Sequence, residues 1–398
     1  MADLASFLSR LKKAKQAIGE SRLTKALVIH HDEADGLSSG ALSKLALERL
    51  GLDTHLVCLD KLYPEVVRDV EGRLQQIIVY ADIGSGHIEW LGEHNKSKSL
   101  ILTLDHHDTS ERESLGVYNL NPELDGFSGE KDASSATVAY LFAKTVDQSL
   151  VEFSHLALIG STEIPGELQG LNKIPLEDGE AINLIHKTPK GGLKFEKSGV
   201  VLSPTRASTV LNVLGSVGYY RDGPMMGVNA CIKGFDQETL KVAQRLEEER
   251  KLANQRMLSL IRANGLSQLK MVQWFHARDN YSGMSGKVVG SFCSYLSYQR
   301  FVNPVRYLIG MMNVPPDIPG WGKLPSSLVK VSARAPRPLA GLIERGARPP
   351  LSRILPSSCE KIGGFGDGHS VAASGVFPIG AEDSFLSEVD KLAGDASA

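Results

Sequence analysis

The chain has only four cysteines among 398 residues, Cys58, Cys231, Cys293 and Cys359. They lie far apart and form no Cys-x-x-Cys pair, which excludes zinc-ribbon and thioredoxin-like sites and points to a reduced, cytoplasmic protein. No apolar run reaches the roughly 18 residues of a membrane span, so no membrane partner is expected. Aromatics make up 6% of the chain, and the formal net charge is −2. A nucleic-acid ligand would therefore need a local basic groove rather than a globally basic surface. Residues 1–20 place Leu4, Phe7, Leu8 and Leu11 at helical spacing, with Lys12, Lys13 and Lys15 following. That reads as an amphipathic helix rather than a signal peptide.

What the chain does have is a rhythm. Short apolar runs at 25–29, 54–59, 76–80 and 100–104 alternate with helix-like stretches at 37–50 and 64–74. Alternation of this kind predicts an α/β fold, with a parallel sheet and helices on both faces. Helix-like patterns also occupy 134–145, and 152–159 reads as an apolar helix or strand. The glycine-rich stretch 211–224 is expected to pack closely against a neighbour. Residues 236–264 form the clearest long helix, with Asp236 as N-cap and Gly265 as stop. It divides the chain into an N-terminal domain (1–235), a connector helix (236–265) and a smaller C-terminal domain (266–398) with a mixed sheet. Residues 363–375 read as a glycine-rich loop.

Three acidic and histidine-bearing pieces follow apolar strands: His30-His31-Asp32-Glu33-Ala34-Asp35-Gly36, Ala81-Asp82-Ile83-Gly84 and Leu104-Asp105-His106-His107. In parallel sheets, ligands bind at the carboxyl ends of strands. Carboxylates and imidazoles gathered there are what two adjacent divalent cations require. Asp82 is the natural bridge. Glu33, Asp35 and either His30 or His31 supply further ligands, and His106 or His107 completes the set. Mixed nitrogen and oxygen donors suit manganese. Alone, each piece is an ordinary turn or strand end. Their joint occurrence in this order argues for a site.

The ordered set resembles the DHH phosphoesterase superfamily, named for an Asp-His-His triplet matched here by Asp105-His106-His107. The first piece is similar to its His-x-Asp-x-Asp-Gly motif, and Asp82 to its second motif. Near the C-terminus, Gly366-Asp367-Gly368-His369-Ser370-Val371-Ala372-Ala373-Ser374-Gly375 resembles the glycine-histidine loop of the DHH-associated domain. Asn121-Pro122, Ser134-Ser135-Ala136, Leu214-Gly215-Ser216-Val217-Gly218-Tyr219-Tyr220 and Val331-Ser332-Ala333-Arg334 are similar to archaeal RecJ-like nucleases.

The resemblance implies a two-metal phosphodiesterase using Mn2+ or Mg2+, a single-strand exonuclease on DNA or RNA. It implies metal ligands at His31, Glu33, Asp35, Asp82, His106 and Glu163, and catalytic roles for Asp105, His106 and His107. It further implies substrate contacts at His107, Ser332, Arg334, Gly366, Gly368 and His369. Two departures stand out. Glu33 occupies the place of the usual aspartate in the first motif, and Glu163 stands where the fourth motif has aspartate. Two other readings follow from the same likeness. One is a phosphodiesterase of short oligonucleotides or cyclic dinucleotides. The other is a weakly active or inactive component of a replication complex, partnered by replication or repair proteins. Tyr219, Tyr220, Trp274 and Trp321 are candidates for base stacking, with core packing as the commoner role for such residues.

Overall fold

The computed structural model describes residues 2–109 and 116–394. They fall into two compact units: Met1–Arg245 with Ile318–Gly322, and Leu246–Asp317 with Lys323–Ala398. The division falls inside the long helix.

The first unit is built on five parallel strands: β1 (Lys25–His31), β2 (Asp53–Leu59), β3 (Ile77–Ala81), β4 (Leu100–Leu104) and β5 (Val117–Asn119). Their order is β2-β1-β3-β4-β5. β3 is buried at every residue, so both pleat faces are covered, as a continuous run of Ile-Ile-Val-Tyr-Ala requires. The helices of this unit are α1 (Leu4–Ser21), α2 (Ala34–Arg49), α3 (Pro64–Arg73), α4 (Ile88–His94), α5 (Ser135–Val146), α6 (Ser154–Gly160), α7 (Lys173–Ala181), α8 (Pro204–Asn212) and α9 (Gly223–Lys233). A small antiparallel sheet, β6 (Ile185–Lys187), β7 (Leu193–Lys197) and β8 (Val200–Leu202), lies between α7 and α8 in the chain. Residues 148–153 form a tight 3₁₀ stretch leading into α6, which resolves the 152–159 ambiguity in favour of helix.

α2 is buried on most sides, and two glycines let it approach β1. A Cβ on Gly36 would stand 2.5 Å from the His31 carbonyl oxygen, and one on Gly40 would stand 2.8 Å from the His30 ring. The glycine-rich stretch 211–224 does pack closely. It contains a π-type turn at Val213–Val217, where a Cβ on Gly215 would fall 1.8 Å from the Asp32 carbonyl oxygen. The segment Ile318–Gly322 belongs to this unit through its hydrogen bonds. Cys58 N donates to Pro319 O at 3.1 Å, along strand β2, and Trp321 Nε1 donates to Asp69 Oδ2 at 2.8 Å.

The long helix α10 (Gln237–Asn264) starts where the sequence places it. The Asp236 carboxylate accepts from Thr239 N at 2.7 Å, and Gly265 takes the left-handed conformation (φ +76°) that ends the helix.

The second unit holds a mixed sheet of six strands, one more than the first sheet. They are β9 (Ser267–Gln268), β10 (Val272–His276), β11 (Tyr307–Val314), β14 (Leu328–Arg334), β15 (Phe365–Gly368) and β16 (Ala372–Pro378); a separate short pair, β12 (Asp317–Ile318) and β13 (Gly322–Lys323), closes the segment Ile318–Gly322 at its two ends. Only β10 and β11 run parallel. Helices α11 (Lys287–Leu296), α12 (Arg337–Glu344), α13 (Leu351–Lys361) and α14 (Glu382–Gly394) complete it. The core brings Ile309, Val331 and Phe377 of the sheet against Leu339, Leu351, Leu355 and Phe385. The expected loop at 363–375 is instead mostly a hairpin, β15 paired with β16. Glycine is normally weak in strands. Here it is required, because a Cβ on Gly375 would meet Cys359 Sγ at 2.6 Å and one on Gly366 would meet Leu355 at 2.9 Å. The side-chain-free strands let α13 lie directly on them.

Candidate metal centre

The strand order places β1 between β2 and β3, so the chain passes from β1 to β2 on one side and then crosses back to β3 on the other. A crevice opens at such a switch point. His31 ends β1 and Asp82 directly follows β3, and there they meet: His31 Nδ1 lies 3.4 Å from Asp82 Oδ2. His31 Nδ1 also stands 3.7 Å from Glu33 Oε2, and its Nε2 stands 3.6 Å from Asp32 Oδ1. Strand alternation sends the paired histidines to opposite faces. His30 is buried, its Nδ1 lies 2.9 Å from the His31 carbonyl oxygen, and burial lowers its pKa to about 4.

Asp82 has φ +63°, a left-handed conformation that aspartate tolerates better than most residues. Its N–H donates to Leu104 O at 3.0 Å, tying it to the end of β4. Burial raises its carboxyl, but the hydrogen bond from His31 and the charges of His107, His31 and His106 hold it below the usual range.

Asp35 lies in the first turn of α2 and is buried. It accepts from Ser135 N at 2.9 Å and Ala136 N at 2.7 Å, the first amides of α5. A helix N-terminus favours an anion there. Burial and the Asp82 charge nevertheless push Asp35 up to about 7, against the opposing effects of His106 and the two amides. Gly160 makes room for this carboxylate, since a Cβ there would stand 2.1 Å from Asp35 Oδ1.

The Asp-His-His triplet has three separate placements. Asp105 is buried, and it accepts from Ser85 N (3.0 Å), His106 N (2.8 Å) and His107 Nδ1 (2.7 Å). Burial raises its carboxyl, yet the His107 charge and hydrogen bond hold it well below the carboxylate range. His106 Nδ1 lies 2.7 Å from Gly129 O, an acceptor only, so Nδ1 donates there and the ring turns Nε2 toward the carboxylates. That Nε2 lies 3.7 Å from Asp35 Oδ2 and 3.9 Å from Asp82 Oδ1. His107 is held by Asp105, which raises its basicity, and its side chain is 58% exposed. One donor atom each from Asp82, His106 and His107 lies within 4.8 Å of the others.

The donor set fits a divalent cation. Two carboxylates close enough to disfavour each other's charge suit a positive partner, and His106, anchored through Nδ1, presents Nε2 between them. Glu33 stands at the N-terminal edge of α2 without a side-chain capping hydrogen bond. Glu163 follows α6 in a 3₁₀ turn and is exposed, rather than ending a strand.

The sequence did not single out the supports. Asn121 Nδ2 donates to the His107 carbonyl oxygen at 2.7 Å, Gly129 positions His106, and Gly160 clears space for Asp35. Asn121-Pro122 entered only through the likeness to RecJ-like nucleases, without any sign of what it would hold. The aromatics nominated for stacking have other roles. Tyr219 is fully buried and donates to Cys58 O at 2.8 Å, and Tyr220 sets its ring edge-on against Tyr219 at 4.8 Å. Trp274 packs on the second core, and Trp321 is engaged with Asp69.

In the second unit, Ser332 pairs with Ser374, and Arg334 pairs with Ala372, across β14 and β16. The Arg334 guanidinium donates to Ser294 Oγ (2.9 Å), Ser332 Oγ (2.9 Å) and the Ala333 carbonyl oxygen (2.8 Å). Gly368, at φ +150°, leads into an exposed turn, where His369 N donates to Ala372 O at 2.7 Å. A Cβ on Gly368 would stand 2.4 Å from Ala373 Cα, so only glycine fits. These residues share one end of the second sheet.

No family model matches the chain. An uncharacterised protein of Methanocaldococcus jannaschii is 32% identical over 180 residues, which is 42% of this chain and 40% of that protein. The match thus spans about two fifths of the relative's length. Among solved structures, exonuclease RecJ bound to manganese superposes with a TM-score of 0.65 at 17% identity, covering 99% of this chain and 95% of that one. A DHH domain from a protein described as belonging to a ribosomal protein family gives 0.61 at 16% identity, covering 98% and 91%. CDC45 from Entamoeba histolytica gives 0.60 at 9% identity, covering 97% and 99%. The chain therefore carries the fold of RecJ and of that DHH domain.

Proposed function

We propose that this chain is a DHH phosphoesterase that hydrolyses phosphodiester bonds of single-stranded nucleic acid from an end, using two manganese or magnesium ions. The observation that carries the reading is the position of His106 Nε2, its partner nitrogen tied to Gly129, between the buried carboxylates Asp35 and Asp82. Asp35, Asp82, His31 and His106 would hold the cations, and Glu33 stands next to His31. Glu163 is the remaining candidate ligand.

Bound cations supply charge neutralisation on the phosphodiester and an activated water near neutral pH. The chain's own groups do the rest. Asp105 holds His107 in one orientation through Nδ1, so the protonated imidazole presents its other N–H outward to a phosphate oxygen. The Ser85 amide and the adjoining backbone amides fix Asp105 itself. In the second unit, Arg334 and the His369 turn are the proposed phosphate contacts, and the fork of Arg334 is already oriented by Ser294 and Ser332. RecJ is a manganese-bound exonuclease of this fold.

The test is cleavage of end-labelled single-stranded DNA and RNA of several lengths with manganese or magnesium, comparing wild type with Asp82→Ala. Stepwise shortening from one end by wild type, lost in the variant, supports the reading. Activity confined to the shortest strands favours the oligonucleotide reading instead. Unchanged cleavage by Asp82→Ala removes the site assignment. Absence of cleavage under all metals, together with tight binding to a replication protein, replaces the enzyme with a replication-complex component.

A further inference from the structure

The aromatic residues that the sequence nominates for stacking are engaged elsewhere, but three others are presented to solvent in the second unit. Tyr295 is 47% exposed, Tyr298 80% and Phe301 44%. All three lie on or just beyond the C-terminal turn of α11. The chain continues past the helix in tight turns, with Tyr298 N donating to Tyr295 O and Val302 N to Gln299 O. The three rings follow one another at three-residue spacings through these turns. The neighbouring Leu296 and Val302 are buried and anchor the segment. The ring of Tyr295 is backed by Phe292 at 6.2 Å and 28°.

Exposed aromatics alone name no partner; the charges around these do. From Asn280 to Pro316 the sequence has no aspartate or glutamate, while Lys287, Arg300 and Arg306 lie within it. Arg300 is exposed beside Phe301. Along α11 the same segment meets Arg334, whose Nε donates to Ser294 Oγ and whose Nη2 donates to Gly290 O. Tyr298 stands four residues after Ser294, one turn further along. Planar rings, cations in a segment lacking carboxylates and an oriented guanidinium in continuity are the composition of a sequence-tolerant strand-binding surface.

We propose that Tyr295, Tyr298 and Phe301, with Arg300, form a stacking platform for the bases of a single-stranded nucleic acid whose backbone is gripped at Arg334. This rests on the strand substrate of the proposed function and adds the surface that receives the bases.

The test uses the full chain with a chelator present, so that no strand is cut. Anisotropy is read on a labelled oligothymidylate and on an abasic strand of equal length. Tyr298→Ala is expected to weaken binding of the base-bearing strand roughly tenfold, and Tyr298→Ala with Phe301→Ala further, by the usual effect of losing one stacked base. Binding of the abasic strand should not change. Tyr298→Trp should restore affinity, with its fluorescence quenched by the strand. Equal affinity of wild type and the double variant for the base-bearing strand overturns the proposal, as does a wild type that binds no strand. The patch then serves another partner, such as a protein. Manganese-dependent hydrolysis of bis(p-nitrophenyl) phosphate separates this from the proposed function. The alanine variants should retain that hydrolysis in full. A wild type that cleaves neither it nor any strand defeats the enzymatic reading while leaving the anisotropy result to stand.

Discussion

The two sheet ends that carry the candidate functional residues are built in opposite ways. At the carboxyl end of the parallel sheet, Asp35, Asp82 and Asp105 are all buried, and backbone amides from Ser135, Ala136, Ser85 and His106 hold two of them. At the end of the second sheet, Arg334 is oriented by hydroxyls and carbonyls, while Gly368 and His369 stand exposed in a turn. The first region keeps unfavourable like charges together within a rigid frame, which is useful only when a cation joins them. The second is the more exposed of the two, and on the proposed function it is where the strand is held. On the proposed function, the first end does the chemistry and the second the grip.

Replacing Asp82 should break the first region most severely. Asp82→Asn keeps the shape and accepts the left-handed backbone, but it removes the charge between His31 and His106. Manganese-dependent cleavage should fall roughly a thousandfold or more, because cation stabilisation of the transition state is worth several kcal/mol. Calorimetry should also show manganese raising the melting temperature of wild type but not of the variant.

A smaller blow comes from displacing a ligand without changing one. Gly160→Ala puts a methyl group 2.1 Å from Asp35 Oδ1. A shift of about an ångström costs roughly a hundredfold. Turnover at saturating manganese should drop by that order, and the manganese concentration for half-activity should rise. An unchanged manganese requirement would show that Asp35 is no ligand.

The second region should respond in affinity. Arg334→Lys keeps the charge but loses the fork that meets Ser294 and Ser332. KM for strand substrates should rise roughly tenfold with kcat little changed, since a grip made equally in ground and transition states acts on KM alone. A fall in kcat with KM unchanged would move Arg334 into the reacting site.

The mildest test contrasts two carboxyls of the first unit. Asp35 and Glu71 are both pushed up to about 7 by burial, but Glu71 lies outside the site. It accepts the Tyr80 hydroxyl at 2.6 Å, and its Oε2 has no hydrogen-bond partner among the described residues. Because folding raises Glu71 from the ordinary 4.5 to about 7, the folded chain holds its proton where the unfolded chain has released it. The stabilisation is full below about pH 4.5 and lost as pH rises through 7. Urea denaturation at pH 5 and pH 8 should show Glu71→Gln relieving this loss by up to roughly 3 kcal/mol. Manganese should leave that difference untouched. A manganese-sensitive difference would mean that Glu71 is coupled to the metal centre.

Much of the first unit was readable from local pattern. The alternation of short apolar runs with helix-like stretches gives β1 to β4 and α2, because burial on both faces demands uninterrupted apolar strands. The glycine-rich segment at 363–375 misled, because glycines that let α13 contact a hairpin look like those of a loop. For the nominated aromatics, core packing was the commoner expectation and Tyr219 meets it; Tyr298 has the same chemistry, and only packing makes one core and the other surface.

The order of residues alone determined which groups would be available: carboxylates and imidazoles directly after apolar strands, and a long capped helix. Chemical type and spacing along the chain are local properties, so a single strand of text carries them. Only tertiary structure decided that β1 lies beside β3, so that His31 rather than His30 faces Asp82. It alone decided that Gly129 orients His106 and that α5 brings its first amides to Asp35. Those are contacts between distant segments, set by which apolar faces bury one another, and no local pattern encodes them.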